Sequence, residues 1–253
     1  MDNAAAFLRY LTSEKNYSPL TVRAYSKDIE DFTLHCSDAY GLHNLKDVHY
    51  PMLRDYIIAL SKRGLAMRSI NRKCSALKSL YAYFQKIGII EVHPFAQHKA
   101  VKAKKAFITP FSVAELNTVL EHIDRSDFLG LRDATVIELL YGTGIRQAEL
   151  IGLKTSDIDW AQGQIRVLGK RNKERLVPII PALATTLKHY MAQRNAYPGT
   201  SAHSFLLVTN KGNKIYPAFV YRLIKTYFRS VSNKISTSPH VLRHSFATHM
   251  LDA

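Results

Sequence analysis

Gly142-Thr143-Gly144-Ile145-Arg146-Gln147-Ala148-Glu149-Leu150 is the stretch on which the reading of the second half of this chain turns. Upstream of it, roughly Phe128 to Tyr141 predicts a helix, which the Gly-Thr-Gly run stops. A new helix is expected to start near Ile145, so Arg146 sits beside a sharp backbone feature. Two further patterns share that character. Gly169-Lys170-Arg171-Asn172-Lys173-Glu174-Arg175 reads as a basic turn between two strands, Gln164 to Gly169 and Arg175 to Ile180. His240-Val241-Leu242-Arg243-His244 follows Ser238-Pro239, an N-cap and a proline at the first helical position. Taken singly, these are a turn, a solvated hairpin and a decorated helix start. Together they place two arginines, a lysine and a histidine where they could converge on one phosphate, because a guanidinium offers a planar fork to phosphate oxygens and a lysine acts as a compact charge or proton donor.

Around these patterns the composition sets limits. The 253 residues carry 35 Lys+Arg against 20 Asp+Glu, a formal charge of +15, and 47% are hydrophobic. A packed core follows, and global disorder does not. Charge so far from zero favours a polyanion partner, with a lysine-rich solvated surface as the plain alternative. Cys36 and Cys74 form no CxxC pattern and fall on apolar stripes, so they read as core residues in a reduced, intracellular setting. No apolar run approaches a membrane span, and the first residues lack the basic and apolar regions of a signal peptide, so no membrane partner is expected.

Residues 1 to about 95 read as helices without a convincing strand. Ser18-Pro19 opens one, with Val22, Tyr25, Ile29, Phe32 and Cys36 on a common face. Tyr50-Pro51 opens another, with Leu53, Ile57 and Leu60 inward. A third runs from about Ala66, its stripe formed by Ile70, Cys74, Leu77, Tyr81 and Phe84. The other face of that helix carries Arg68, Asn71, Arg72, Lys73 and Lys78 with no acid beside them, which fits either DNA contact or a solvated basic face. Residues 98–109 are a basic linker, dividing a helical domain at 1–97 from a mixed domain at 110–253. In the latter, Ser112 and Glu115 predict a capping box, Pro181 and Pro217 open helices, and Phe205 to Thr209 is a strand candidate.

These motifs, in this order, resemble the tyrosine recombinases, and the whole chain resembles their Xer type. The matching stretches are Arg132-Asp133 through Leu150, Gly169-Lys170 through Pro178, and His240 through His249, with Phe7 to Leu11 and Ser18 to Tyr25 similar to the core-binding domain of the group. The fold implied is mainly α with a small β-sheet: an N-terminal helical, SAM-like core-binding domain followed by an α+β catalytic domain. The resemblance makes Arg146 and Arg243 the phosphate-clamping arginines, His240 a hydrogen-bond donor to the scissile phosphate that assists proton transfer, and Lys170 the general acid for the departing 5′ oxygen. Arg68, Asn71, Arg72, Lys73, Arg171 and Lys173 are the expected DNA contacts. Double-stranded DNA is the partner, with a homo- or heterotetramer on two sites. The setting is cytoplasmic, and neither cofactor nor metal is expected. Glu149 is expected to hold the fold or orient Arg146, and His244 to support a neighbouring site residue or pack rather than ligate.

Three departures from the family pattern matter. Arg171 replaces the usual glycine after the hairpin lysine, and Ala148 the usual serine before the glutamate. The family's nucleophilic tyrosine follows the His-x-x-Arg motif, whereas all 14 tyrosines here lie upstream of it. The chain stops within its last predicted helix, with Phe246 and Met250 expected to be exposed on adjacent turns. It therefore reads as truncated before its nucleophile and expected not to cleave DNA alone, although the starting point at a helical region implies no separate arm-binding domain. Site-specific recombination through a 3′-phosphotyrosyl link is the function implied, and a non-cleaving DNA-binding remnant or competitor is the alternative.

Overall fold

Ser18 opens the longest helix of the chain: its hydroxyl accepts the Thr21 amide at 3.3 Å, Pro19 takes the first helical position, and Gly41 ends the helix at φ 62°. This computed structural model describes residues 3–98, 109–169, 173–197, 204–232, 234 and 237–252, with no side-chain description at 252. Lys170, Arg171 and the linker residues 99–108, each given a role by the sequence, lie outside the described residues. The chain divides into two units, residues 1–106 and 107–253.

The regular structure in the first unit's described residues is all helical, chiefly α1 (Asn3–Ser13), α2 (Pro19–Tyr40), α3 (Tyr50–Lys62) and α4 (Met67–Lys86). The expected stripe of α4 is wholly buried, from Ile70 through Phe84, against Phe7 and Leu11 of α1, Phe32 and Cys36 of α2, and Leu53 and Leu60 of α3. On α3 the inward position falls to Tyr56, leaving Ile57 half-buried. Tyr56 can enter because its hydroxyl donates to Asp31 at 2.7 Å. Both cysteines are free and buried, and burial pushes their thiols up, Cys36 to about 11, which suits packing rather than reactivity.

In the second unit, α5 (Val113–His122) begins on the expected capping box, with Ser112 and Glu115 bonded reciprocally. The next helix, α6 (Phe128–Thr143), is buried on nearly every face, from Leu131 to Leu140. A helix apolar all round belongs inside a core, and α8 (Pro181–Ala196), α9 (Pro217–Arg229) and α10 (Pro239–Asp252) pack around it. Short α7 (Gln147–Gly152) leads into an antiparallel sheet of order β1 (Ile158–Asp159), β2 (Gln164–Leu168) and β3 (Glu174–Pro178). Its register pairs Leu168 with Glu174 and Gln164 with Pro178. Ile165 and Val167 are buried while Arg166 and Leu168 are exposed, as the two-residue period of a one-sided sheet requires. β1 was not expected from sequence; two residues give no alternation to detect. The strand expected at Phe205–Thr209 is instead two isolated bridges, Phe205 with Lys154 and Val208 with Lys214. Phe246 is half-buried rather than exposed, its ring lying over Gly144, while Met250 is 64% exposed.

Candidate functional site

The site grows from the end of α6. Gly144 adopts φ 58°, its amide bonding the Leu140 carbonyl at 3.1 Å, and any Cβ there would collide with the Phe246 ring. Only glycine meets both demands. The turn delivers Arg146 to the N-cap position of α7, and Glu149, three residues on, accepts the Arg146 amide at 2.7 Å and its Nη1 at 2.9 Å.

The same carboxylate takes a second arginine. Arg175, near the start of β3, donates Nη1 to Oε1 at 3.0 Å and Nη2 to Oε2 at 2.8 Å, a fork-to-fork pair. The Glu149 side chain is 4% exposed. Burial alone would raise its carboxyl, but hydrogen bonds from Arg175 and Arg146 hold it down at about 2. From α10, Arg243 donates Nη1 to the Gly144 carbonyl. Burial lowers the Arg243 guanidinium pKa, and the neighbouring positive charge of Arg146, then of Arg175, lowers it further. Three guanidinium groups thus stand within electrostatic reach of one another around a single buried carboxylate. Among the described residues two of these positive charges have no compensating acid, which is the electrostatic signature of an anion site.

Of the residues expected to carry chemistry, Arg146 and Arg243 come together here. His240 lies three residues before Arg243 in the first turn of α10 and is exposed. His244 is exposed as well, so it is not a packing residue, and among the described residues no three His, Cys, Asp or Glu side chains gather as metal ligands. Lys173 is exposed beside the hairpin, whose base closes through the Gly169 amide and the Lys173 carbonyl at 2.8 Å. Arg175 escaped selection as a site residue because it reads equally well as the exposed start of a strand. The signal for it was a third arginine closing a basic hairpin opposite an arginine motif.

Around this cluster, α10 is tied to α6 by Tyr141, whose hydroxyl lies 2.9 Å from His249 Nδ1. On α6 itself, Arg132 donates to Asp133 at 2.8 and 2.7 Å, and Tyr227 of α9 donates to the other carboxylate oxygen at 3.1 Å. α9 also presents exposed Arg222, Lys225 and Arg229, and its sequence contains no acidic residue.

In the first unit the expected DNA-contact face of α4 needs correction. Arg68 is exposed and Asn71 is half-buried, but Arg72 and Lys73 are not without balancing acids. Arg72 forms a two-pronged pair with Asp28, Nη2 to Oδ1 at 2.9 Å and Nη1 to Oδ2. Buried Lys73 reaches Asp28 at 3.3 Å and Asp31 at 2.8 Å. The acids come from α2, packed alongside, where inspection of α4 alone cannot find them. Burial would raise the Asp31 carboxyl, but Lys73 and Tyr56, with Arg63 nearby, bring it to about 2.

Comparison with known proteins places this geometry. The model of the phage integrase family matches residues 106–253, and that of the phage integrase N-terminal SAM-like domain matches residues 4–86. The chain is 34% identical to the tyrosine recombinase XerC of Oceanobacillus iheyensis, covering 97% of this chain and 81% of the relative. Its identity to the tyrosine recombinase XerC of Myxococcus xanthus is also 34%, covering 97% and 82%. In fold it is similar to the Tn1549 transposon integrase in complex with circular intermediate DNA, with a TM-score of 0.75 at 19% identity, covering 100% of this chain and 87% of the other. It is likewise similar to the XerH site-specific recombinase bound to difH substrate in a pre-cleavage complex, with a TM-score of 0.71 at 23% identity, covering 98% and 73%.

Proposed function

The chain belongs to the phage integrase family of tyrosine recombinases, and on that premise we propose that its arginine cluster grips the scissile phosphate during site-specific recombination of double-stranded DNA. The observation that carries this is the convergence of Arg146 and Arg243 at the Gly144 turn, with Glu149 holding Arg146 in place. A phosphodiester under attack gathers negative charge on its non-bridging oxygens, and preorganised donors there contribute about 10²–10³-fold each. His240 adds a hydrogen bond to the same phosphate, and Lys170 protonates the departing 5′ oxygen. A tyrosine oxygen attacks phosphorus, the bond to the 5′ oxygen breaks, and the 3′-phosphotyrosyl link keeps the phosphodiester's energy for rejoining. None of this chain's 14 tyrosines follows Arg243, and none is assigned as that nucleophile.

Arg68 and Asn71 of α4, with Arg171 and Lys173 of the hairpin, are the DNA contacts in this reading, Arg72 reaching DNA only by giving up its pair with Asp28, and the exposed cations of α9 extend them. Lys73 serves instead by neutralising Asp28 and Asp31. A tetramer of like or paired recombinases on two sites, working on cytoplasmic DNA, completes the reading. Similarity to recombinases over nearly the whole chain favours it over a non-cleaving remnant.

The test selects a binding site from a random duplex pool, nicks it near its centre, and presents it to residues 1–253 joined to the tyrosine-bearing segment of a relative. An SDS-stable protein–DNA adduct is expected. Specific binding without any adduct would return the remnant reading to the front.

A further inference from the structure

Glu149 is a carboxylate with two clients on two different elements. One is Arg146, which begins α7 and faces the proposed phosphate; the other is Arg175, on β3 of the basic hairpin. Both guanidinium Nη atoms of Arg175 are committed to Glu149, so this arginine is not arranged to donate to a DNA phosphate itself. Its place is nonetheless tight against the hairpin base. A Cβ at Gly169 would stand 3.2 Å from Arg175 Nη1, 3.2 Å from the Lys173 carbonyl oxygen and 3.6 Å from Glu149 Oε1. Gly169 and Lys173 are the two residues whose backbone bond closes the hairpin, at 2.8 Å.

We infer that Arg175 is a positioning residue, coupling the β2–β3 hairpin to Arg146 through their shared partner Glu149. The inference deepens the proposed function and rests on its reading of Arg146 as a phosphate ligand. A buried carboxylate that loses one of two cations must seek its hydrogen bonds elsewhere, and the remaining guanidinium is the nearest source. Removing Arg175 therefore redirects Glu149 onto Arg146 and at the same time releases β3, the strand that leaves the hairpin turn. Information about the hairpin's position reaches the arginine clamp by that route, and the reverse holds equally. Lysine at 175 keeps the charge but not the planar fork, so it restores only part of the coupling.

Nuclear magnetic resonance on the free protein, without DNA, reads this directly. In Arg175→Gln, the Arg146 Nε–Hε resonance should move, and exchange of the Gly169 amide should accelerate roughly 10-fold as the hairpin base opens. Arg175→Lys should show both effects at reduced size. Glu149→Gln should reproduce them, and Arg175→Gln added to Glu149→Gln should do almost nothing more, the mark of residues acting as one unit. Arg166→Ala, which removes an exposed pair with Asp157 from the same sheet, should leave both signals still. If Arg175→Gln or the milder Arg175→Lys lowers Tm while Arg146 stays unmoved, Arg175 merely anchors a strand and the coupling is wrong. Duplex DNA is then added to the wild-type protein. Failure of the Arg146 and Arg243 resonances to respond would overturn the phosphate-clamp reading, whatever the first experiment showed.

Discussion

At the scale of single residues, the site depends on how few conformations its key positions tolerate. Gly144 is the clearest case, being held both by its left-handed backbone and by the ring above it. Gly144→Ala places Cβ in an αL conformation, at about 1–2 kcal/mol, and displaces Phe246, at about 1–3 kcal/mol more. The expected result is a fall in Tm of roughly 4–20 °C by calorimetry, given about 2–4 °C per kcal/mol at this size. The same change made in a Phe246→Ala background should cost visibly less; equal costs would mean that the ring contact carries no energy. Arg146→Ala and Arg243→Ala act differently. Each should abolish cleavage by the tyrosine-bearing form while leaving most of the duplex affinity, measured by anisotropy. A matching loss of affinity would make these arginines DNA-positioning groups rather than transition-state donors.

Elements are where the sequence was most and least informative. Helix starts were legible because their signals are local: Ser18 before Pro19, Ser112 with Glu115, and Pro239 after Ser238 all mark real helices. The turn at Gly144 was legible for the same reason. Pairings between elements were not. Asp28 and Asp31 neutralise Arg72 and Lys73 from a helix more than forty positions away, and Arg175 meets Glu149 across 26 positions. No period or cap encodes such contacts; packing alone creates them. The consequence for α4 is measurable. Asp28→Ala removes the partner of Arg72 and leaves the buried Lys73 ammonium with Asp31 alone, and should destabilise the first unit by about 1–3 kcal/mol, whereas Arg68→Ala should leave stability within about 0.5 kcal/mol. Denaturant titration of residues 1–106 distinguishes them, and similar costs for the two would show that the Asp28 network is not what holds α2 to α4.

The paired acids also give these elements a pH dependence of definite sign. Glu149 and Glu115 in the second unit are both held at about 2, below the ordinary glutamate value of 4.5. For Glu115, burial works against this, and hydrogen bonds from Lys234 and the Ser112 amide overcome it. A carboxylate whose folded pKa lies below its unfolded one binds fewer protons folded than unfolded, so its stabilisation is complete above about pH 4.5. That contribution is lost as pH falls towards 2. Residues 107–253 should therefore lose stability steeply across this window, and Glu149→Gln should flatten the curve there. A slope unchanged by the substitution would mean that Glu149 titrates normally and is not the shared anchor of two arginines.

For the molecule as a whole, the distribution of charge matters more than its total. Residues 1–106 hold 17 Lys and Arg against 9 Asp and Glu, and residues 107–253 hold 18 against 11. The excess is thus shared almost evenly between the units, which argues that each meets DNA in its own right, although Lys99, Lys102, Lys104 and Lys105 of the basic linker supply half of the first unit's share. Counterion release turns this into a number, because log affinity for duplex falls with log salt by about 0.9 per phosphate neutralised. If six to ten phosphates are engaged, the whole chain should show a slope of about −5 to −9. Anisotropy titrations between about 50 and 200 mM salt measure it. Separately expressed units should each retain a substantial part of that slope, since neither owns the charge. Arg68→Ala should reduce the slope of the first unit by about 1, while Lys73→Ala should reduce its stability before its slope, because the Lys73 charge is spent on Asp28 and Asp31. A slope carried entirely by residues 107–253 would show that the positive charge of the helical unit is a solvated surface, and the DNA contacts assigned to α4 would fall with it.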